Sequence, residues 1–162
     1  MPDLNLRAHI EAPVELVYRV VADVEQYPAF LPDVDAVERR DDIVAMTIRM
    51  GVVPMRLVTR ARFTPPEAID LSQVEGPFRR FDARWTFVAA RAGADVAYRA
   101  DYALPLFGAL FSSPARLLLE QQVRRQIRAF EARILSVARA ADTPEGPGRH
   151  PLPSGPSGER EG

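Results

Sequence analysis

The chain has 162 residues, 47% of them apolar, with 21 basic residues, all arginine, set against 22 acids. That length suits one domain with a sizeable core, no apolar run reaches the roughly 18 residues of a membrane span, and near-neutral charge argues against duplex DNA as a partner. With no cysteine and only His9 and His150, thiol chemistry, disulfides and cysteine-ligated metals are excluded, and no metal site is expected.

Residues 4 to 11, "LNLRAHIE", place Leu4, Leu6, Ala8 and Ile10 on one side, the period of a half-buried strand. Val14, Leu16, Val17, Val20 and Val21 then recur at helical spacing behind Pro13, which suits a first helical turn. The helix is expected to break before Pro28, with a second short helical turn over 24 to 31. From Val34 to about Leu104 the rhythm is strand-like, punctuated by "RRDD", "TPPEA", "EGP" and "RAGAD". Short turns between consecutive strands predict an antiparallel meander.

In "FDARWTF", Phe81, Ala83, Trp85 and Phe87 alternate with Asp82, Arg84 and Thr86. The aromatics therefore share one face, and the charges are read as a solvated outer surface with cross-strand ion pairs. After residue 105, Leu119, Val123, Ile127, Phe130, Ile134 and Ala138 form one apolar stripe, predicting a helix over 114 to 140 capped by Ser113 and Pro114. The closing "TPEGPGRHPLPSGPSGEREG" holds 12 Pro, Gly or Ser in 20 residues. It is expected to be a disordered tail, 143 to 162, behind a single domain over 1 to 142. The N-terminus lacks the basic and apolar pattern of a secretory signal, which makes the cytoplasm the expected location.

"VEQYPAFLP" at 24 to 32, "RLVTRARF" at 56 to 63, "VEGPFRRFDARWTF" at 74 to 87 and "IRAFEARI" at 127 to 134 together resemble the Coq10 family. This is the coenzyme Q-binding group of the START-like, or polyketide cyclase and dehydrase, superfamily, which also includes RatA-type ribosome association toxins. The resemblance implies an α+β helix-grip fold: a curved antiparallel sheet of six or seven strands around a long C-terminal helix, with two short helices after strand one. It also implies non-enzymatic binding of ubiquinone or a related prenyl quinone, with no other cofactor, in support of respiration and quinone biosynthesis. The sequence departs from the family pattern at Asp33 and Val34, where a tryptophan and a cysteine often follow, and at Ala83, where the family has glycine.

A prenyl quinone needs a long apolar slot with a few polar groups at its head. Met46, Ile48, Met50 and Met55 would give adaptable walls. Phe63, Trp85, Phe87, Tyr98, Tyr102, Val123, Ile127 and Phe130 would complete the lining. The same side chains could instead pack a filled core. Tyr98 or Tyr102 could offer a hydroxyl to a carbonyl. Phe30 and Leu31 on one side, with Leu106, Phe107, Leu110 and Phe111 on the other, are gate candidates, and the latter four would touch a bilayer if exposed. Peripheral contact with the inner face of the cell membrane is the corresponding expectation.

Two rival functions draw on the same residues. A cyclase-like enzyme needs inward groups able to move protons, yet Arg60, Arg99 and Asp101 fall on outward faces, so no catalytic residue is assigned. A RatA-like contact with the large ribosomal subunit would use a basic surface, for which Arg124, Arg125, Arg128 and Arg133, or Arg79 and Arg80, are available.

Overall fold

The computed structural model describes residues 3–103 and 113–142. In chain order these form β1 (Asp3–Ile10), α1 (Val14–Ala22), a single 3-10 turn (Val24–Gln26), α2 (Tyr27–Phe30), β2 (Val34–Arg40), β3 (Ile43–Met50), β4 (Val53–Thr64), β5 (Ala68–Glu75), β6 (Arg80–Ala90), β7 (Gly93–Ala103) and α3 (Ser113–Asp142). The strands make one antiparallel sheet in the order β1-β7-β6-β5-β4-β3-β2. β2 to β7 are the expected meander. β1 joins it through its last strand, with Leu6 opposite Tyr98.

Local chemistry explains where elements begin and end. Pro13 precedes α1 as its cap, one position earlier than expected, and its carbonyl accepts from the amides of Leu16 and Val17. α1 ends at Ala22, before Pro28 as expected, and the second short helical stretch follows over residues 24–30, but the pre-proline residue is not what stops α1: Tyr27 is helical and Pro28 sits in the first turn of α2, where its missing N–H is no loss. The preference of a pre-proline residue for extended backbone is overridden because Tyr27 is buried and its hydroxyl donates to the Val21 carbonyl. Asp41 and Gly51 take positive φ in the β2–β3 and β3–β4 turns, a conformation that aspartate tolerates and glycine adopts freely.

α3 lies along one face of the sheet and meets its two halves differently. Toward its C-terminal half, Phe130 and the fully buried Ile134 join Leu6, Ile10, Val17 and Val21 in a filled core. Toward its N-terminal half the sheet and the helix stand apart. The outer face of the sheet is polar, as the alternation of "FDARWTF" predicts. Arg84 pairs with Asp70 at 3.0 Å, Arg80 with Asp101 at 2.8 Å, and Ser72 donates to Asp82 at 2.7 Å.

Candidate ligand-binding site

The gap between α3 and the sheet is an apolar cavity of about 130 Å3. Its floor follows from the period of two along the strands: Met46, Ile48 and Met50 from β3, Met55, Leu57 and Thr59 from β4, Ile69 and Leu71 from β5. Register brings these together, with Met46 opposite Leu57 and Ile48 opposite Met55. Phe81 and Trp85 from β6 and Tyr98 from β7 close the inner end. The roof is α3, whose residues 119, 122, 123, 126, 127 and 130 fall on one helical face.

Aromatic packing holds the inner wall. The Trp85 ring meets Tyr98 at 4.8 Å and Phe130 edge-on at 5.4 Å, and Tyr27 meets Phe130 edge-on at 5.1 Å. At the β5–β6 turn the Gln73 amide works like a strand partner. Its Nε2 donates to the Phe78 carbonyl at 2.8 Å and its Oε1 accepts from the Phe78 amide at 3.2 Å. That clip presents Phe78 and Pro77 to the cavity, with Phe78 stacked on Phe81 at 5.1 Å.

Polar groups are few. Thr59 is 3% exposed and its hydroxyl donates to the Val44 carbonyl at 3.5 Å. Gln122, 7% exposed, donates from Nε2 to the Arg49 carbonyl at 3.0 Å, tying α3 to the end of β3. Asp33 reinforces the tie, pairing with Arg125 at 2.5 Å. Burial pushes the Tyr98 hydroxyl well above its ordinary range. It does the same to Tyr27, helped by the neighbouring Tyr98 and Asp23.

The residues read from the sequence divide into two sets. Leu31, Met46, Ile48, Met50, Met55, Trp85, Tyr98, Val123, Ile127 and Phe130 line the cavity. Phe30, Phe63, Phe87 and Tyr102 do not. Phe87 lies past the cavity, edge-on to Tyr18 of α1 at 5.4 Å. Phe63 sits on the far half of the long β4, beneath the Arg39 guanidinium at 4.2 Å. Tyr102 is buried behind the Phe78 and Phe81 pair. Phe30 packs on Phe130 at 5.6 Å and is overlaid by Arg133. Leu106, Phe107, Leu110 and Phe111 lie outside the described residues.

The sequence reading missed Tyr27, Thr59, Phe78, Gln122 and Gln126. The two glutamines fall between Leu119 and Phe130 at helical spacing, but a search for apolar stripes passes over polar members. Phe78 is placed by a turn, which no periodicity marks.

Arg60 pairs with the exposed Asp42, Asp101 pairs with Arg80, and Arg99 is exposed. None of the three lines the cavity. Among the described residues no cluster of His, Asp or Glu is arranged to hold a metal ion.

A curved antiparallel sheet closed by one long helix, with an apolar cavity between them, defines a START-like helix-grip protein. The chain belongs to the family described as polyketide cyclase / dehydrase and lipid transport, which it matches over residues 10–131. It is 28% identical over 127 residues to the ribosome association toxin RatA of Pseudomonas aeruginosa, covering 70% of this chain and 87% of that one. RatA of Escherichia coli is 22% identical over 145 residues, covering 82% and 92%. Among solved structures, TTHA0849 from Thermus thermophilus has the same fold with a TM-score of 0.75 at 23% identity, covering 85% of this chain and 99% of that one. The Zhui aromatase/cyclase from a Streptomyces species has a TM-score of 0.69 at 21% identity, covering 85% and 93%. The family description spans enzymes and lipid transport.

Proposed function

We propose that the protein is a non-enzymatic carrier that binds ubiquinone or a related prenyl lipid in the cavity beneath α3. The observation that carries this reading is the lining: methionine, leucine, isoleucine and aromatic side chains around a slot with no arginine, aspartate, glutamate or histidine among its described residues. Such a slot rewards apolar area at roughly 25 cal/mol per Å2, and the two tyrosine hydroxyls on its lining, Tyr27 and Tyr98, are held in the protonated form by burial. The volume, about 130 Å3, is close to the ~150 Å3 apolar cavity that accepts a benzene ring. A ring fits inside, and a prenyl tail must run out past the helix. Organic extraction of protein purified from a quinone-producing host, followed by mass spectrometry, tests the reading. Near-stoichiometric prenyl quinone is expected, and a lipid-free protein that also fails to take up added ubiquinone removes it.

The carrier would work in the cytoplasm, loading at the inner face of the cell membrane. Val52 and Val53 at the β3–β4 turn are 92% and 57% exposed, and Leu117 and Leu118 on α3 are 56% and 61% exposed. They adjoin Met50 and Leu119 of the cavity lining. Val52→Asp with Leu118→Asp is expected to reduce co-flotation with liposomes; unchanged flotation removes the membrane contact.

The likeness to RatA favours a second reading, contact with the large ribosomal subunit. Arg124, Arg125, Arg128 and Arg133 are exposed on α3, although Arg124 pairs with Glu120 and Arg125 with Asp33. Co-sedimentation with ribosomal subunits at moderate salt, lost on reversing Arg124 and Arg128, would move the assignment to this reading.

A further inference from the structure

Among the described residues six large apolar side chains are exposed, and four of them, Val52, Val53, Leu117 and Leu118, gather at one end of the molecule. Met50 opposite Val53 closes the β3–β4 hairpin, with Gly51 and Val52 as its tip. A Cβ on Gly51 would meet nothing within 4 Å beyond its neighbours in the chain, so the tip stands clear of the other described residues. α3 reaches the same end. It runs from Phe130, against Trp85, to Gln122, whose amide donates to the Arg49 carbonyl beside the tip. Leu118 lies about 6 Å further along the same direction.

The charges around this apolar cluster lean to one sign. Residues 47–56 and 117–128 carry five exposed arginines, Arg49, Arg56, Arg124, Arg125 and Arg128, and one acid, Glu120. Glu120 pairs with Arg124, and Asp35 and Asp33 reach over from the neighbouring segment to pair with Arg49 and Arg125. Arg56 and Arg128 make no ion pair among the described residues. Two positive charges are thus left over at this end of a chain whose net charge is -1. Arg56 stands on the outer face of the hairpin, opposite Thr47. Arg128 stands on the exposed face of α3, in line with Leu117, Gln121 and Arg124 at steps of three and four.

Exposed valines and leucines flanked by uncommitted guanidinium groups fit a surface that is negatively charged at its edge and apolar beneath. RNA would satisfy the arginines, but it takes up apolar surface by stacking on flat rings, which valine and leucine lack. A second copy applied through the same patch would set arginine against arginine. We infer that this end docks on an anionic bilayer. Val52, Val53, Leu117 and Leu118 enter the headgroup boundary, α3 rests along the surface, and Arg56 and Arg128 lie among the lipid phosphates. This rests on the membrane-loading reading above and adds to it the lipid class, the two residues that select it and the orientation.

The test is flotation of the full chain with two sets of vesicles, phosphatidylcholine alone and phosphatidylcholine mixed with phosphatidylglycerol, at roughly 0.1 M and 1 M salt, where charges are screened beyond about 10 Å and 3 Å. At low salt, partition onto the anionic vesicles is expected to exceed that onto the neutral ones about 25-fold, roughly fivefold for each surplus charge, and the preference is expected to shrink at high salt. Arg56→Glu with Arg128→Glu is expected to abolish the preference and leave the neutral partition unchanged, since neither residue lines the cavity. Arg40→Glu with Arg91→Glu reverses as many charges at the β2–β3 and β6–β7 turns, at the opposite end of the sheet, and is expected to keep most of it. Equal partition onto both vesicles overturns the inference and leaves an uncharged membrane contact standing, whereas no partition onto either removes that contact as well. An equal loss in the Arg40 and Arg91 variant also overturns it, because bulk charge and not this face would be responsible. If the Arg56 and Arg128 variant floats like the parent but no longer co-sediments with ribosomal subunits, the face belongs to RNA and the inference falls.

Discussion

Ile134 has no exposed surface and packs where α3 meets Leu6, Ile10, Val17 and Val21. Ile134→Ala removes three carbons from a filled region, and a loss of about 2–5 kcal/mol is expected in urea unfolding. Methionines on the cavity floor should be cheaper to shorten. Met46→Ala enlarges space that is already open, so a cost below that of Ile134→Ala is expected by the same measurement. Tyr27 and Tyr98 set the response to alkali. Both hydroxyls are raised by burial above the ordinary value of 10.0, so the fold favours the protonated form. That contribution is whole below pH 10 and is lost as pH climbs toward the raised folded values, by at most about 1.4 kcal/mol per pH unit for each tyrosine. Urea midpoints should hold steady between pH 7 and 9 and fall from pH 10 upward, less steeply in Tyr98→Phe. The identity of individual lining residues was partly legible. Apolar members at strand or helix period, such as Met46 and Ile127, could be read directly. Phe63 and Phe87 obeyed the same period, yet no pattern records how far along a strand the cavity stops.

At the scale of elements, the β5–β6 turn is set by two residues acting together. A Cβ on Gly76 would lie 2.5 Å from the Gln73 Oε1 and 2.9 Å from the Leu57 Cδ1. Gln73 cannot swing aside without giving up its two bonds to Phe78. Gly76→Ala is therefore expected to cost about 1–3 kcal/mol, measurable as a lowered unfolding midpoint, and to weaken ligand binding through a displaced Phe78. α3 shows the opposite economy. Its ion pair from Arg125 to Asp33 is 60% and 21% exposed, and Arg125→Ala should change stability by less than about 1 kcal/mol. Elements were the most legible level. The strand rhythm and the apolar stripe located β3 to β7 and α3 closely, because each has one face to bury. The short helical stretch over 24 to 31 was also legible, but the pre-proline argument for where the first helix stops was not, since the pull of a buried tyrosine outweighs the local bias of the residue before a proline.

For the molecule as a whole, sequence rhythm supplied the meander and the covering helix, and the likeness to a known family supplied their arrangement. Composition could not show that the core is filled at one end and open at the other. That asymmetry arises because α1 closes the β1, β7 and β6 end of the sheet against α3, with Tyr18 on Phe87, while among the described residues no second helix fills the space beneath β3, β4 and β5. A ligand that binds only the folded state stabilises it by mass action. Saturating ubiquinone at a hundred times its dissociation constant should raise unfolding free energy by about 2.7 kcal/mol, read as an upward shift in melting temperature.

The position of β1 has a kinetic consequence. Each hairpin from β2 to β7 pairs neighbours in the chain, whereas Leu6 must find Tyr98, and loop closure over that separation is slow because entropy is spent before contacts are gained. The meander can zip early, leaving the N-terminal strand to dock late. Leu6→Ala should then accelerate unfolding while leaving the refolding rate nearly unchanged, and stopped-flow traces across urea would show it. A chain emerging from synthesis holds its first strand in waiting until the seventh has appeared.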